Sequence, residues 1–365
     1  MKKKFIISGG GTGGHIFPAI AIAKELQRQF PDAEFLFVGA QGKIEMEKVP
    51  EAGFQIEGLW ISGLQRKLSI DNLAFPFKLI SSLWKARKIL KAFEPNIVIG
   101  VGGFASGPTL WMANMLNIPT LIQEQNSYPG ITNRALAKKV RKICVAYDTL
   151  DKFFPKGKIV KTGNPIRQEM IQIKGKREKA ANFFGLNASQ KTVLFVGGSL
   201  GALAINETLN KQVEKLLDEG LQVIWQTGKY YFEKAQATEK HINNNKLVVK
   251  AFIREMDLAY AIGDIIVSRA GAIAISEISA VGKPAIFVPL PTAAEDHQRM
   301  NAMALVENQA AELVLNKETD QKLIDATIAL AQDVEKQKVL SENILKMAII
   351  DADKRIANVI KQIIE

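Results

Sequence analysis

The sequence predicts an α/β protein of two domains, each a doubly wound parallel sheet, facing a cleft. Two observations support this prediction. Residues 4–11 form a short apolar run that ends in glycines, and residues 192–199 repeat that pattern. Helical periodicity follows each run, as is typical where a buried parallel strand turns into a helix. The length of 365 residues is sufficient for two domains of ordinary size.

The first half of the chain contains five apolar runs that end in glycine or turn residues, and these predict strands. They are residues 5–8, 34–38, 96–100, 120–123 and 142–146. Between them, apolar residues recur every three or four positions, for instance over 17–30 and 79–92, which predicts helices. Strands that alternate with helices form a parallel sheet covered on both faces, the Rossmann-like architecture.

The second half of the chain repeats this alternation. Its predicted strands are residues 192–196, 222–226, 246–249, 264–267 and 284–288, and residues 344–363 predict one amphipathic helix. Residues 162–165 read Thr-Gly-Asn-Pro, a turn-forming segment suited to a domain boundary. We therefore place the domains at 1–163 and 164–343, followed by the helix 344–365.

Composition indicates a globular protein of the cytoplasm. Apolar residues make up 47% of the chain and charged residues 23%. The single cysteine, Cys144, excludes an intramolecular disulfide and fits a reducing compartment. The apolar patch after Met1 is too short for a signal peptide, and no run of about 18 apolar residues predicts a membrane span.

The net charge of +11 is confined to the first domain. Residues 1–165 hold 23 Lys and Arg against 12 Asp and Glu, whereas the remaining residues hold 25 of each. A one-sided basic field attracts phosphate groups, either of nucleic acid or of an anionic membrane surface. No nucleic-acid recognition motif is present, which favours the membrane.

A segment over residues 60–91 places apolar anchors among cations, as in interfacial membrane helices. The predicted membrane patch consists of Phe75, Phe77, Trp84, Lys78, Lys85 and Arg87. The alternative is a core helix with a solvated basic face.

The first glycine loop, residues 9–14, fits the dinucleotide pattern G-x-G-x-x-G. A dehydrogenase also needs an acidic residue after the second strand, and residues 37–41 contain none, which disfavours a nicotinamide or flavin enzyme. Amide groups at such a helix start suit an anion or sugar oxygens. His15 follows the loop, where imidazole can take a proton from a sugar hydroxyl. The alternative is a histidine that only hydrogen-bonds nearby backbone.

Other strand ends also predict ligand sites. Gly102, Gly103 and Ser106 belong to a third glycine cluster, suited to a second phosphate group. Residues 123–127 are five polar residues at a strand end, and residues 197–201 repeat the glycine loop.

Residues 268–277 combine a strand end, a glycine turn and a helix start, so the amides of Ala272 and Ile273 would face a diphosphate. Glu277, one turn further, suits ribose hydroxyls, unless it is an ordinary exposed helix glutamate. The amide side chain of Gln298 suits sugar hydroxyls.

We predict no metal site and no cofactor. The only Asp-x-Asp triplet, residues 351–353, lies within the final amphipathic pattern, where a solvated helix face explains it better. Backbone amides, a helix dipole and arginine would then neutralise a diphosphate.

Seven motifs, taken in order, resemble the MurG family of glycosyltransferases, of the family 28 type. They are GGTGGH (10–15), GGFASGP (102–108), EQN (124–126), GNPIR (163–167), GGS (197–199), RAGA (269–272) and HQRMN (297–301). The resemblance extends from the first strand to about residue 310. It implies the two-domain GT-B fold, a first domain that binds a lipid-linked acceptor, a second that binds UDP-N-acetylglucosamine, and a final helix that returns to the first domain.

The resemblance also implies residue roles. The residues expected to bind UDP-N-acetylglucosamine are Thr12, Gly13, Gly14, Asn126, Arg167, Ser199, Ile253, Ala272, Ile273, Ala274, Ile275, Ser276, Glu277 and Gln298. His15 is the expected base, with Asn126 as a second catalytic residue, and Gly102, Gly103 and Ser106 would hold the acceptor diphosphate. Leu200 and His297 stand where many family members have glutamine, so the resemblance does not assign a direct polar contact to those two positions.

The resemblance implies an inverting, metal-independent transfer of N-acetylglucosamine from UDP to the 4-hydroxyl of undecaprenyl-diphosphate-linked muramoyl pentapeptide. The product is lipid II for peptidoglycan synthesis. The expected location is peripheral, on the cytoplasmic face of the inner membrane, against its anionic surface. The alternatives are transfer to diacylglycerol, a dinucleotide-dependent oxidoreductase, and a membrane-bound scaffold that binds the nucleotide sugar without turnover.

Overall fold

The structure, a computed structural model, describes residues 2–63, 74–198 and 200–365, apart from the side chain of Ala294. The chain divides into two compact units. Unit 1 contains the residues up to Ile166 together with Ile349–Glu365, and unit 2 contains Arg167–Ala348. The limits drawn from the sequence were 1–163 with 344–365 for one domain and 164–343 for the other.

Unit 1 is built on a parallel sheet. Its strands are β1 (Lys4–Ser8), β2 (Glu34–Ala40), β3 (Gln55–Leu59), β4 (Ile97–Gly100), β5 (Thr120–Glu124), β6 (Lys142–Val145) and β7 (Ile159–Lys161), in the order β3-β2-β1-β4-β5-β6-β7. Its helices in the first part of the chain are α1 (Gly13–Gln29), α2 (Glu45–Glu51), α3 (Phe75–Phe93), α4 (Ser106–Met115) and α5 (Ile131–Leu136). The central strand β4 is buried on both faces, which explains why its Ile97, Val98 and Ile99 form an unbroken apolar run.

Unit 2 is also built on a parallel sheet. Its strands are β8 (Thr192–Val196), β9 (Gln222–Gln226), β10 (Leu247–Lys250), β11 (Ile265–Ser268), β12 (Ala285–Phe287) and β13 (Glu312–Leu313), in the order β10-β9-β8-β11-β12-β13. Its helices are α6 (Gln168–Ile171), α7 (Arg177–Phe184), α8 (Leu203–Asp218), α9 (Phe232–Ile242), α10 (Met256–Ile262), α11 (Ala272–Val281), α12 (His297–Val306), α13 (Thr319–Gln332) and α14 (Val334–Lys346). The two sheets confirm the predicted α/β class.

The sequence did not predict three of the strands, and all three are sheet edges. They are β3, β7 and β13. An edge strand pairs on one side only and is less buried, so its apolar run is shorter. In β3, Gln55 and Glu57 are exposed and only the last two residues are buried.

The prediction of one helix over 344–363 is wrong. Helix α14 ends at Lys346, and α15 (Ala352–Ile364) begins after five residues outside both helices. The chain passes from unit 2 to unit 1 within this break, after Ala348. The break contains Met, Ala and two Ile, which continue the apolar periodicity, so the pattern alone does not reveal it. Helix α15 buries Ile356, Ala357 and Ile360 in the core that also contains α1.

Candidate functional site

The glycine turn after β1 is shaped for close backbone packing. Gly10 and Gly11 have φ values of 142° and 86°, which favour glycine. The N–H of Gly10 donates to the carbonyl of Gly102 (3.3 Å), which links the turn to the end of β4. Thr12, Gly13 and Gly14 then form the start of α1, where the first amides have no partner within the helix. These three residues therefore present polar backbone at the carboxyl end of the sheet.

His15 lies on the first turn of α1, and its orientation is defined by two contacts. Its Nδ1 is 3.0 Å from the Gly10 carbonyl oxygen and 3.3 Å from the Thr12 hydroxyl. A carbonyl oxygen only accepts, so Nδ1 is the donor in the shorter contact, and the lone pair is then on Nε2. The backbone hydrogen bond of the alternative interpretation is thus present. The same bond selects the tautomer that a base acting through Nε2 requires.

The third glycine cluster packs directly against His15. Gly102 and Gly103 have φ values of 91° and 86°. A Cβ atom on Gly102 would lie 2.8 Å from His15 Cδ2, and one on Gly103 would lie 2.3 Å from the Gly10 carbonyl oxygen. Two glycine loops separated in sequence therefore meet around this histidine.

Ser106 is the first residue of α4 and is fully buried. Its hydroxyl has no hydrogen-bond partner among the described residues. At this position the side chain itself faces the interior of unit 1, so an anion at the start of α4 would meet backbone amides.

Asn126 is held by Glu124, a residue for which the sequence indicated no separate role. The buried Glu124 carboxylate accepts from the backbone N–H of Asn126 (3.1 Å), its Nδ2 (3.3 Å), the N–H of Gly130 (3.1 Å) and Asn133 Nδ2 (2.8 Å). Four donors satisfy the acceptor sites of one carboxylate. Glu124 thereby sets the position of Asn126 at the end of β5.

In unit 2, the glycine loop after β8 is closed by a glutamine. The side chain of Gln226 accepts from the N–H of Gly198 (2.9 Å) and donates to the carbonyl of the same residue (2.9 Å). Ser199, the predicted phosphate ligand of this loop, lies outside the described residues. Leu200, which follows Ser199, is 73% exposed.

The start of α11 follows β11 through Gly271. Ala272 and Ile275 are buried, whereas Ile273, Ala274 and Ser276 are partly buried. The Ser276 hydroxyl donates to the Ala272 carbonyl (2.9 Å) within the helix. The predicted contribution of this segment to a diphosphate site therefore comes from its backbone amides and from the helix dipole.

Glu277 is 5% exposed, which excludes the alternative of an ordinary exposed helix glutamate. Its carboxylate accepts from Arg167 Nη2 (3.3 Å) and from the Tyr260 hydroxyl (3.3 Å). Burial raises the pKa of Glu277, and the charge of Arg167 opposes that shift. Burial also raises the pKa of Tyr260 well above its ordinary value. Tyr260 was not predicted, because it lies in an apolar helix with no motif around it.

Two further residues predicted to bind the nucleotide sugar, Ile253 and Gln298, lie at loops of unit 2. Ile253 is buried after β10, so its backbone is held in place, and the adjacent Phe252 is 60% exposed. Gln298 opens α12 together with His297, and its Oε1 accepts from the N–H of Leu290 (3.0 Å). That bond fixes the side chain amide of Gln298.

The prediction of a solvated face for residues 351–353 is wrong for Asp353. This residue is 9% exposed, and burial raises its pKa. Asp351 accepts from Arg355 Nε (2.8 Å). Over residues 2–63, 74–198 and 200–365, no three His, Cys, Asp or Glu side chains are grouped closely enough to hold a metal ion.

Helix α3 exposes large apolar side chains. Phe77, Ile80 and Trp84 are 70%, 56% and 67% exposed, whereas the buried face of the helix is Ser82, Ala86 and Leu90. A groove of about 430 Å³ is lined by Ile80, Leu83, Trp84, Arg87 and Met112. The alternative of a core helix with only a basic face outside does not account for these exposed aromatics.

The other predicted patch residues make contacts within unit 1. Lys78 Nζ donates to the Ser62 hydroxyl (3.1 Å), and Lys85 Nζ pairs with Glu57 (3.0 Å). Phe75 is partly buried against the core. Residues 64–73 of the predicted segment fall outside the described residues. None of the helices described here is long and apolar enough to cross a bilayer.

Comparison with known proteins gives two family matches. Residues 5–145 match the glycosyltransferase family 28 N-terminal domain, and residues 192–362 match the family 28 C-terminal domain. A protein of Cytophaga hutchinsonii is 54% identical over 361 residues (99% of this chain and 97% of that protein). One of Flavobacterium psychrophilum is 51% identical over 362 residues (99% and 98%). Both relatives are named UDP-N-acetylglucosamine--N-acetylmuramyl-(pentapeptide) pyrophosphoryl-undecaprenol N-acetylglucosamine transferase.

Among solved structures, Acinetobacter baumannii MurG is similar with a TM-score of 0.78 and 28% identity, covering 99% of both chains. The UDP-GlcNAc 2-epimerase of Neisseria meningitidis bound to UDP-GlcNAc matches with a TM-score of 0.69 and 14% identity, covering 99% of this chain and 100% of that one. The second likeness concerns the fold alone. The two parallel sheets together with these matches confirm the predicted GT-B fold.

Proposed function

The chain belongs to glycosyltransferase family 28 and is a hexosyltransferase, and we propose that it transfers N-acetylglucosamine from UDP-N-acetylglucosamine to a lipid-linked muramoyl sugar. The acceptor is undecaprenyl-diphosphate-linked muramoyl pentapeptide, whose 4-hydroxyl attacks the anomeric carbon. The product is lipid II. The observation that supports this proposal is that relatives about half identical in sequence over nearly the whole chain are named as transferases of this kind.

Unit 2 binds the donor in this proposal. The amides of Ala272 and Ile273 at the start of α11 face the diphosphate, with Ser199 of the first glycine loop of the unit. Glu277, fixed by Arg167, accepts from the ribose hydroxyls, and the backbone of Ile253 binds uracil. Burial strengthens these contacts because the local dielectric is low.

The donor site also includes residues around the transferred sugar. Gln298 binds the sugar hydroxyls through its fixed amide, while Ala274, Ile275 and Ser276 complete the first turns of α11. Since the helix dipole and the amides neutralise the leaving diphosphate, the transfer proceeds without a metal ion.

Unit 1 contributes the base. The hydroxyl of the acceptor attacks from the face opposite UDP, so the configuration at the anomeric carbon inverts. As it attacks, Nε2 of His15 takes the proton of the hydroxyl, because Nδ1 already donates to the Gly10 carbonyl. General-base assistance of this kind is worth about 10²–10⁴-fold in rate. Asn126, held by Glu124, orients the sugar together with Thr12, Gly13 and Gly14.

Unit 1 also binds the acceptor diphosphate and the membrane. The diphosphate lies at the backbone of Gly102, Gly103 and Ser106, at the start of α4. The exposed aromatics of α3 enter the interface of an anionic inner leaflet on the cytoplasmic side, and Arg87 binds lipid phosphate. This placement brings the enzyme to the surface where its acceptor resides.

A substrate panel tests the proposal. Purified protein is incubated with radiolabelled UDP-N-acetylglucosamine and one of three partners: lipid-linked muramoyl pentapeptide, diacylglycerol, or NADH with no lipid. The proposal predicts label transfer to the muramoyl lipid alone. Label on diacylglycerol would identify a glycolipid synthase, NADH oxidation would identify an oxidoreductase, and binding without transfer would identify a scaffold; each outcome contradicts the proposal.

A further inference from the structure

Glu45, at the start of α2, is a fully buried carboxylate of unit 1 for which the sequence predicted no role. Its two oxygens accept from backbone N–H groups: Oε2 from Gly11 (2.7 Å) and Oε1 from Ala40 (3.0 Å). In both bonds a backbone N–H donates and a carboxyl oxygen accepts, which fits an ionised carboxylate, a group that only accepts. Glu45 therefore places a negative charge directly beneath the first glycine turn.

The peptide group between Gly10 and Gly11 connects this charge to His15. Its N–H, on Gly11, donates to Glu45, and its carbonyl oxygen, on Gly10, accepts from His15 Nδ1 at 3.0 Å. One peptide group is thus hydrogen-bonded at both ends, to a carboxylate on one side and to an imidazole on the other. Consecutive hydrogen bonds polarise one another, so the carboxylate makes the Gly10 oxygen a stronger acceptor.

The surrounding glycines leave space for this arrangement. A Cβ atom on Gly10 would lie 2.2 Å from the carboxyl carbon of Glu45, and one on Gly39 would lie 2.6 Å from its Cγ. A Cβ atom on Gly103 would lie 2.3 Å from the Gly10 oxygen. Glycines at three separate points of the chain therefore accommodate the carboxylate and the peptide group.

We propose that Glu45 is a positioning residue for His15, acting through the Gly10–Gly11 peptide group to keep the proton on Nδ1 and the lone pair on Nε2. It performs the task that a carboxylate bonded directly to imidazole performs in catalytic triads. The consequence for catalysis depends on the proposed role of His15 as the base. The effect on the imidazole itself does not.

The first test is kinetic. Glu45→Gln keeps the shape of the side chain but removes its charge, and its NH₂ group faces one of the two N–H donors, so one hydrogen bond is lost. We expect kcat to fall by about tenfold to a hundredfold, by analogy with the loss seen when the hydrogen-bond partner of a metal-bound imidazole is removed. KM for UDP-N-acetylglucosamine should stay within about twofold, because Glu45 lies in unit 1, whereas in the proposed function the uridine and the diphosphate of the donor are bound by unit 2. Unchanged kcat in Glu45→Gln, where His15→Ala is impaired, overturns the proposal.

The matched control is Glu25→Gln. Glu25 is also a buried carboxylate of unit 1, but its oxygens bind Arg28 and Gln29 on the surface of α1. This variant loses buried charge without touching the glycine turn, so its kcat should equal that of the wild type. If kcat fell equally in both variants, the loss would come from reduced stability, which would contradict the proposal.

The second test is spectroscopic and needs no substrate. The chain has three histidines, His15, His241 and His297, so ¹⁵N imidazole spectra are readily assigned from single variants. They are recorded about two pH units above the usual imidazole pKa of about 6.5, where the ring is neutral. We expect the proton of His15 on Nδ1 in the wild type, and a mixture of both tautomers in Glu45→Gln. A wild-type proton on Nε2, or identical His15 spectra in the two proteins, overturns the proposal.

Gly39→Ala provides an independent variant should Glu45→Gln fail to fold. The added methyl displaces the Glu45 side chain while its charge is retained, so the His15 spectrum should change in the same direction. The outcomes also separate the two claims. Normal turnover of His15→Ala would exclude His15 as the base, but the effect of Glu45 on the His15 tautomer would still stand. Unchanged His15 spectra in Glu45→Gln would exclude the role of Glu45 and leave His15 as the proposed base.

Discussion

At the scale of single residues, buried carboxylates organise both units. Burying an ionised carboxylate is costly unless its acceptor sites are filled. Glu124 has four donors, and Glu45 has two backbone donors, whereas Glu277 pairs with Arg167 and Tyr260. Each thereby fixes a polar group at the carboxyl end of a strand or the start of a helix.

His15→Ala tests the proposed base. We expect kcat to fall about 10²–10⁴-fold, because general-base assistance is lost, while KM for UDP-N-acetylglucosamine stays nearly constant. Steady-state transfer with the lipid-linked acceptor measures both values. His241→Ala, an exposed histidine in the last turn of α9, is the control and should behave as the wild type. Turnover close to normal in His15→Ala would exclude this residue as the base.

At the scale of elements, sequence pattern predicts what is buried and periodic. Every central strand was predicted, because burial on both faces requires a continuous apolar run. The edge strands β3, β7 and β13 were not, since half of an edge strand faces solvent. The glycine turns were predicted as ligand loops, but the contact of Gly103 with the Gly10 carbonyl joins residues distant in the chain and left no local signal. Glu45 and Tyr260 were missed because their partners, Gly11 and Glu277, are likewise distant from them in the chain.

Gly103→Ala tests the packing of the two glycine turns. Gly103 has a φ of 86°, and Gly53, the control, has a φ of 88° with no atom within 4 Å of an added Cβ. Gly53→Ala should therefore lower the free energy of unfolding by the conformational term alone, about 1–2 kcal/mol. Gly103→Ala should lower it further, by about 1–3 kcal/mol, because its Cβ meets a backbone oxygen, and should also reduce turnover.

Urea unfolding and steady-state transfer assays measure these two effects. Equal destabilisation of the two variants would show that the turn has room for a side chain and would contradict the packing described.

The membrane patch on α3 is tested by the double substitution Phe77→Ser and Trp84→Ser. Full burial of each ring is worth roughly 1.5–3 kcal/mol, so binding to anionic vesicles should fall by at least about tenfold. Flotation with vesicles rich in anionic lipid measures the loss. Phe183→Ser removes a half-exposed ring of α7 in unit 2 and should leave binding unchanged. If the double variant floats as well as the wild type, α3 does not dock on the membrane.

At the scale of the whole molecule, the chain builds unit 1 from two separate segments. Helix α15 returns to unit 1, and its Ile356, Ala357 and Ile360 share a core with Cys144 of β6. Burial raises the pKa of Cys144 to about 12, so at neutral pH its thiol is protonated as well as inaccessible. Cys144 therefore reports the opening of unit 1.

Ile360→Ala should lower the free energy of unfolding of unit 1 by about 2–5 kcal/mol, since it leaves a cavity in that core. The rate at which a thiol reagent labels Cys144 measures the change across a urea series, and labelling should begin at lower urea than in the wild type. Ile350→Ala, a half-exposed position in the break before α15, is the control. Labelling that is independent of the Ile360 substitution would show that α15 does not stabilise unit 1.

The central claim is that a nucleotide diphosphate binds to the backbone at the start of α11 in unit 2. A crystal structure of the full chain with UDP-N-acetylglucosamine tests it most directly. The account predicts the diphosphate within hydrogen-bond distance of the Ala272 and Ile273 amides and the ribose hydroxyls at Glu277. A diphosphate bound at the glycine turns of unit 1, with α11 unoccupied, would contradict it.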